Sequence, residues 1–162
     1  RDRIGVHLAA DPRNRERIKP EALWEHDQGE SLSASDVMRA SAERSRFYEA
    51  MLSLFDRVDV LASSTTQTWP FPVEWRWPRE IAGRPMDTYH RWMETVVPAT
   101  FAGLPVISVP AGFSAEGLPA GLQLIGPPRA DLEVLRIAAA YEQVAADILA
   151  VRPPLAVDEG RA

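Results

Sequence analysis

The 162 residues contain no cysteine, a single lysine (Lys19) against 17 arginines, and nine glycines of which no two are adjacent. Without cysteine there is no disulfide framework, no thiolate nucleophile, no cysteine-based zinc site and no iron–sulfur cluster. Long hydrophobic runs are also missing. No segment approaches the roughly 20 apolar residues of a membrane helix, and the opening Arg1-Asp2-Arg3-Ile4 lacks a signal core, so no membrane partner is expected and the cytoplasm is the default compartment. Nor is charge of one sign concentrated anywhere. Residues 1–60 hold 10 basic and 12 acidic side chains and residues 61–162 hold 8 and 11, for a net charge of -5. No face is reserved for phosphates, and nucleic acid is not an expected partner. No Gly-Lys pair and no Gly-x-Gly-x-x-Gly occurs, which removes the usual nucleotide cradles. His7, His26 and His90 are scattered without an i, i+4 pair, so neither a metal nor a cofactor is expected. The stretch Gly112-Phe-Ser114-Ala-Glu-Gly117 has one residue too many for a nucleophile elbow, and Ser114 reads as a turn serine.

What is present is 46% hydrophobic residues, a content that supports a real core. Residues 1–34 are polar and read as a solvated, partly helical surface. Ser33 with Asp36 resembles a capping box, and Phe47, Met51 and Phe55 form one stripe on a helix of about 35–56. Val58 to Ala62 is a short β-prone run ending near Ser63. Residues 63–86 combine Trp69, Trp75 and Trp77 with Pro70, Pro72, Pro78 and Pro85, a stiff aromatic loop suited either to lining a site or to being pinned on a core or another subunit. Asp87 to about Ala102 reads as a helix that Pro98 kinks or ends. Val106 to Ala111 and Ala120 to Gly126 are strands joined as a hairpin, and Gly121 inside the second permits a close backbone approach or a bulge. Asp131 is placed as the cap of a last helix of about 132–150, with Leu135, Ala138, Tyr141, Ala145, Ile148 and Leu149 on its inner face. The order is α/β, with helices packed on a mixed sheet.

Two Gly-Leu-Pro copies, Gly103-Leu-Pro105 and Gly117-Leu-Pro119, frame the strand Val106-Ile-Ser108-Val-Pro110-Ala-Gly112. Gly121-Leu-Gln123-Leu-Ile-Gly126, Asp131-Leu-Glu-Val-Leu and Ala140-Tyr-Glu142 follow. This pattern resembles the C-terminal region of amidase signature family hydrolases, and Asp59-Val-Leu-Ala-Ser-Ser-Thr65-Thr resembles their preceding strand and loop, with Ser64-Thr65 where Pro-Thr is commoner. The resemblance implies the C-terminal portion of a mixed β-sheet core flanked by helices, incomplete as a domain, spanning 1–162. It implies hydrolysis of carboxylic amides by a Ser nucleophile, a bridging Ser on a cis peptide and a Lys base. The family carries its serines in a Gly-Gly-Ser-Ser-Gly-Gly-Ser run, with the lysine well upstream. This chain has no such run, and Lys19 beside Pro20 reads as a surface residue, so no catalytic residue is carried over. The catalytic part is expected outside the chain, as its partner, and the chain alone is expected to be inactive. By position the resemblance makes Thr66, Trp69, Phe71, Trp92 and Met93 part of the substrate-pocket wall. Met93 stands where glutamine-amidating members carry an Asp, which favours a small apolar or aromatic amide. The other reading is a non-catalytic, amidase-derived domain that binds a protein partner through loop 69–77. A homo-oligomer stays open, and an isolated piece is expected to self-associate.

Overall fold

The computed structural model describes residues 11–152. They fall into two units, one reaching to Arg46 and one starting at Phe47. In the first, α1 (Pro12–Arg15) and α2 (Pro20–Glu30) each begin with proline, whose missing N–H costs nothing in a first turn. Lys19 is the exposed residue before α2. Helix α3 (Ala34–Phe55) starts in the first unit and runs into the second. Its start is the reciprocal box read from the sequence. The Asp36 N–H donates to Ser33 Oγ at 3.2 Å, and the Ser33 N–H donates to Asp36 Oδ2 at 3.0 Å.

The second unit is built on a three-stranded antiparallel sheet in the order β1 (Leu61–Ser64), β5 (Pro119–Ile125), β4 (Val106–Phe113). Strands β4 and β5 form the expected hairpin, and its bulge lies at Pro110–Gly112 rather than at Gly121. One sheet face carries Ile125 and Leu61 under Met51, Phe47, Tyr48 and Phe55 of α3 and Ala99, Ala102 and Leu104. The opposite face carries Val109, Ile107, Leu122 and Leu124 under Ala138, Ile137 and Tyr141 of α5 (Asp131–Val144). Fully burying a side chain the size of Met51, Leu104 or Ile125 is worth about 1.5–3 kcal/mol each, so these two clusters hold the sheet between its helices.

Three expectations are corrected. Residues 87–102 are not one helix: a 3-10 turn (Arg91–Met93) precedes a short α4 (Val97–Ala102), and Pro98 lies in the first turn of α4, starting a helix instead of ending one. Helix α4 stops at Gly103, whose φ of 65° lets the Gly103 and Leu104 N–H groups turn back to Thr100 O and Ala99 O. The last helix is broken at Ala145 into α5 and α6 (Ala146–Ala150), and Asp131 is its first residue, making no side-chain cap. Its inner stripe begins at Val134 and not at Leu135, which is 55% exposed. Finally, the aromatic loop contains a small hairpin, β2 (Glu80–Ile81) and β3 (Arg84–Pro85). Among the described residues, no helix is long and apolar enough to cross a membrane.

Candidate functional site

Period-2 alternation sets which side chains share the first sheet face. In register across it stand Leu61, Ile125 and Val106, then Ser63, Gln123 and Ser108, then Thr65, Gly121 and Pro110. The apolar row is the one packed near α3 and α4. The middle row is polar, and its centre, Gln123, is only 2% exposed. Its Nε2 donates to Ser63 Oγ at 2.9 Å, Ser64 O at 3.1 Å and Thr95 O at 2.7 Å. Gln123 thus ties the chain before α4 to the sheet, and the Thr95 hydroxyl adds a 3.4 Å bond to Thr65 O. A buried amide keeps such a place only when its polar atoms find partners. In the sequence Gln123 stands out as a lone polar residue between Leu122 and Leu124 and as part of the Gly121-Leu-Gln123 run, and neither signal assigns it this role.

Beyond the polar row the sheet opens into a cavity of about 490 Å3. Thr65, Ser108, Val109, Pro110 and Gly121 line it from the sheet, and Thr66, Thr68, Trp69, Pro70, Phe71 and Trp92 line it from the loops. Four of the five residues named from sequence, Thr66, Trp69, Phe71 and Trp92, therefore share one cavity. Met93, the next residue of the 3-10 turn, does not line it. A second concavity of about 270 Å3 shares Thr66, Thr68, Trp69, Ala120 and Gly121 and adds Ser64 and Gln67.

The aromatic wall is braced by its own rings. Phe71 meets Trp92 edge to face at 5.6 Å and stacks on Trp75 at 6.3 Å, while Tyr89 meets Trp92 at 5.9 Å and Trp77 at 5.9 Å. Trp77 donates its indole N–H to Met86 O at 3.1 Å, and Met86 is 2% exposed, so the loop is anchored from within. Gln67 Nε2 donates to Arg91 O, fastening the loop to the 3-10 turn. The indole N–H of Trp92 is buried without a hydrogen-bond partner. Beside it in the chain, Arg91 pairs with Asp87 and with Glu94, and Glu94 also meets Arg84 at 3.1 Å. Hydrogen bonding to Arg91 holds the Asp87 carboxyl below its ordinary range.

Chemically the cavity offers apolar surface and hydroxyls. Among the described residues lining it there is no lysine, histidine or carboxylate to serve as a base. Elsewhere, His26, Asp27 and Glu30 could bring ligand atoms within 4.8 Å of one another, but Asp27 is already paired with Arg15 at 2.8 Å on an exposed helix.

The Amidase family model matches residues 7–135. The chain is 40% identical over 119 residues to a fatty acid amide hydrolase of Medicago truncatula, covering 71% of this chain and 19% of that protein. It is 43% identical over 99 residues to one subunit of the glutamyl-tRNA(Gln) amidotransferase of Synechococcus, covering 61% and 19%. A bacterial aryl acylamidase of the amidase signature family superposes with a TM-score of 0.76 at 30% identity, covering 92% of this chain and 34% of that one. The chain therefore spans about a fifth of the length of these curated relatives and about a third of the solved one.

Proposed function

The chain belongs to the amidase family, and from that premise we propose that it is the C-terminal portion of an enzyme that hydrolyses the C–N bond of carboxylic amides. It supplies three strands of the sheet and one wall of the substrate pocket, while the nucleophilic serine and its lysine base lie outside these 162 residues. The observation that carries this reading is the cavity itself, bounded by Thr66, Trp69, Phe71 and Trp92 and with no base among the described residues that line it. Ligand pockets of this size range and mainly apolar lining hold small organic groups and orient them through a few polar atoms. Here they would hold the apolar part of an amide while chemistry proceeds on the catalytic portion. The aromatic lining of Trp69, Phe71 and Trp92 favours an apolar or aromatic amide, the kind of substrate named for the aryl acylamidase and the fatty acid amide hydrolase, over the kind named for the amidotransferase subunit.

Two assays test this. The 162-residue chain alone should not hydrolyse acetanilide or propionamide; serine-dependent turnover by it would overturn the proposal. The protein translated from the reading frame extended upstream of Arg1 should hydrolyse acetanilide with a higher kcat/KM than glutamine. In it Trp69→Ala and Trp92→Ala should each lower kcat/KM by roughly 10-fold or more, the effect of losing a ring's packing.

A second reading, a protein-binding domain, is favoured by one observation: Val73 and Trp75 in loop 69–77 are 92% and 54% exposed. Exposed apolar patches mark interaction surfaces. Light scattering decides whether the loop drives association of the chain with itself. Val73→Asp with Trp75→Ser should shift a concentration-dependent oligomer to monomer, and an unchanged distribution would count against a role for the loop.

A further inference from the structure

The polar atoms of the aromatic cavity are unevenly placed. Thr66 spends its hydroxyl on Thr68 O at 2.7 Å, within its own loop. Thr65 Oγ1 and Ser108 Oγ, by contrast, lie 3.0 Å apart although they come from strand positions on either side of β5. They can meet because the residue between them is glycine. A Cβ on Gly121 would stand 2.7 Å from Thr65 Oγ1 and 3.2 Å from Ser108 Oγ, closer than the first tolerates. The missing side chain therefore opens a polar spot on the sheet floor of a cavity whose other lining, Thr66 and Thr68 apart, is apolar.

Two hydroxyls own two protons. One is used between them, which leaves one O–H free to donate and lone pairs free to accept. A group that both accepts and donates satisfies such a pair best, and a methyl group satisfies none of it.

We propose that the Thr65–Ser108 hydroxyl pair is a specificity-determining anchor, selecting an apolar substrate group that ends in a hydroxyl. The proposal rests on reading the cavity as a substrate pocket, but probes without an amide test it separately from amide hydrolysis. Calorimetric titration of the 162-residue chain with p-cresol and with toluene compares a ring that carries a hydroxyl with one that does not. A purely apolar cavity prefers toluene, because desolvating the hydroxyl is uncompensated. With the anchor, p-cresol binds about 3–10-fold tighter than toluene, the effect of one net neutral hydrogen bond. Thr65→Val combined with Ser108→Ala should reverse the order, and Thr65→Ser should keep it. If the double variant loses the far-UV circular dichroism of the parent, Ser108→Ala alone decides; Ser108 is exposed, and its loss should weaken the preference, since only the Thr65 hydroxyl then remains. Tighter toluene binding by the parent, no binding of either probe up to its solubility, or a preference that survives loss of the hydroxyls would overturn the anchor. A p-cresol preference in this chain, together with no amide hydrolysis by the protein extended upstream of Arg1, would instead overturn the proposed function and leave the anchor standing.

Discussion

Ser33 and Asp36 are among the shortest polar side chains available, and their length is why they work. Each reaches the other's backbone N–H, so two of the orphan donors at the start of α3 are satisfied by neighbours already in place. The Ser33 hydroxyl, at 2.6 Å, holds the Asp36 carboxyl below its ordinary range, helped by the Ser33 N–H and by Arg39 at 2.7 Å. A carboxyl whose pKa is depressed by folding contributes stability above its unfolded value of about 3.9, and the contribution is lost as pH falls through the folded value. Helical ellipticity should therefore drop more steeply below about pH 4 in the parent than in Asp36→Asn; matching profiles would show that the box does not govern the helix start. Trp92 poses the opposite case, a polar atom with no partner to lose. Trp92→Phe should change stability by less than about 1 kcal/mol, because no hydrogen bond breaks, whereas Trp92→Ala should cost about 2–4 kcal/mol through lost ring packing. Urea titration separates the two, and equal losses would mean that the N–H has a partner after all.

Elements whose signals are local are legible in the sequence. The Ser33–Asp36 box, the Phe47–Met51–Phe55 stripe and the Gly103 stop each depend on residues within one or two turns. The β4–β5 hairpin likewise needs only two β-prone runs and a turn. Pro98 misleads because proline fits both after a helix and just inside one, and only the turn at Arg91–Met93 decides between them. Leu135 reads as inward because Leu135 and Val134 are equally apolar; the sheet, not the sequence period, fixes the rotation of α5. The β2–β3 hairpin escapes a sequence reading since its turn is Ala82-Gly83, not Asn-Gly. Both residues have positive φ, 49° and 79°, as a type I′ hairpin turn requires. Alanine in that region is strained by about 1–2 kcal/mol. Ala82→Asn should therefore raise stability by about 0.5–1 kcal/mol in urea titration, and a loss of stability would show that the turn is not of this type.

On the scale of the whole molecule, the candidate site gathers residues that the chain keeps far apart. Thr66, Trp69 and Phe71 can be named together because they are neighbours in sequence, and Trp92 because of the family pattern. Thr65, Ser108 and Gly121 cannot, since their meeting depends on β1 pairing with β5 across the whole aromatic loop. That pairing also fixes an order of events. Strand β5 gains β4 across a short turn, but it gains β1 only by closing a loop of about 60 residues, as between Ser63 and Gln123. Closure entropy grows with loop length, so the hairpin can assemble early and β1 must dock onto it late. Pulsed hydrogen exchange during refolding should then protect β4–β5 amides before the Thr65 N–H, which donates to Gly121 O at 2.9 Å; simultaneous protection would contradict this order. The floor of the cavity would be the last part of the sheet to come into being, so an intermediate that lacked only β1 would be folded through most of its sheet and still blind to ligand.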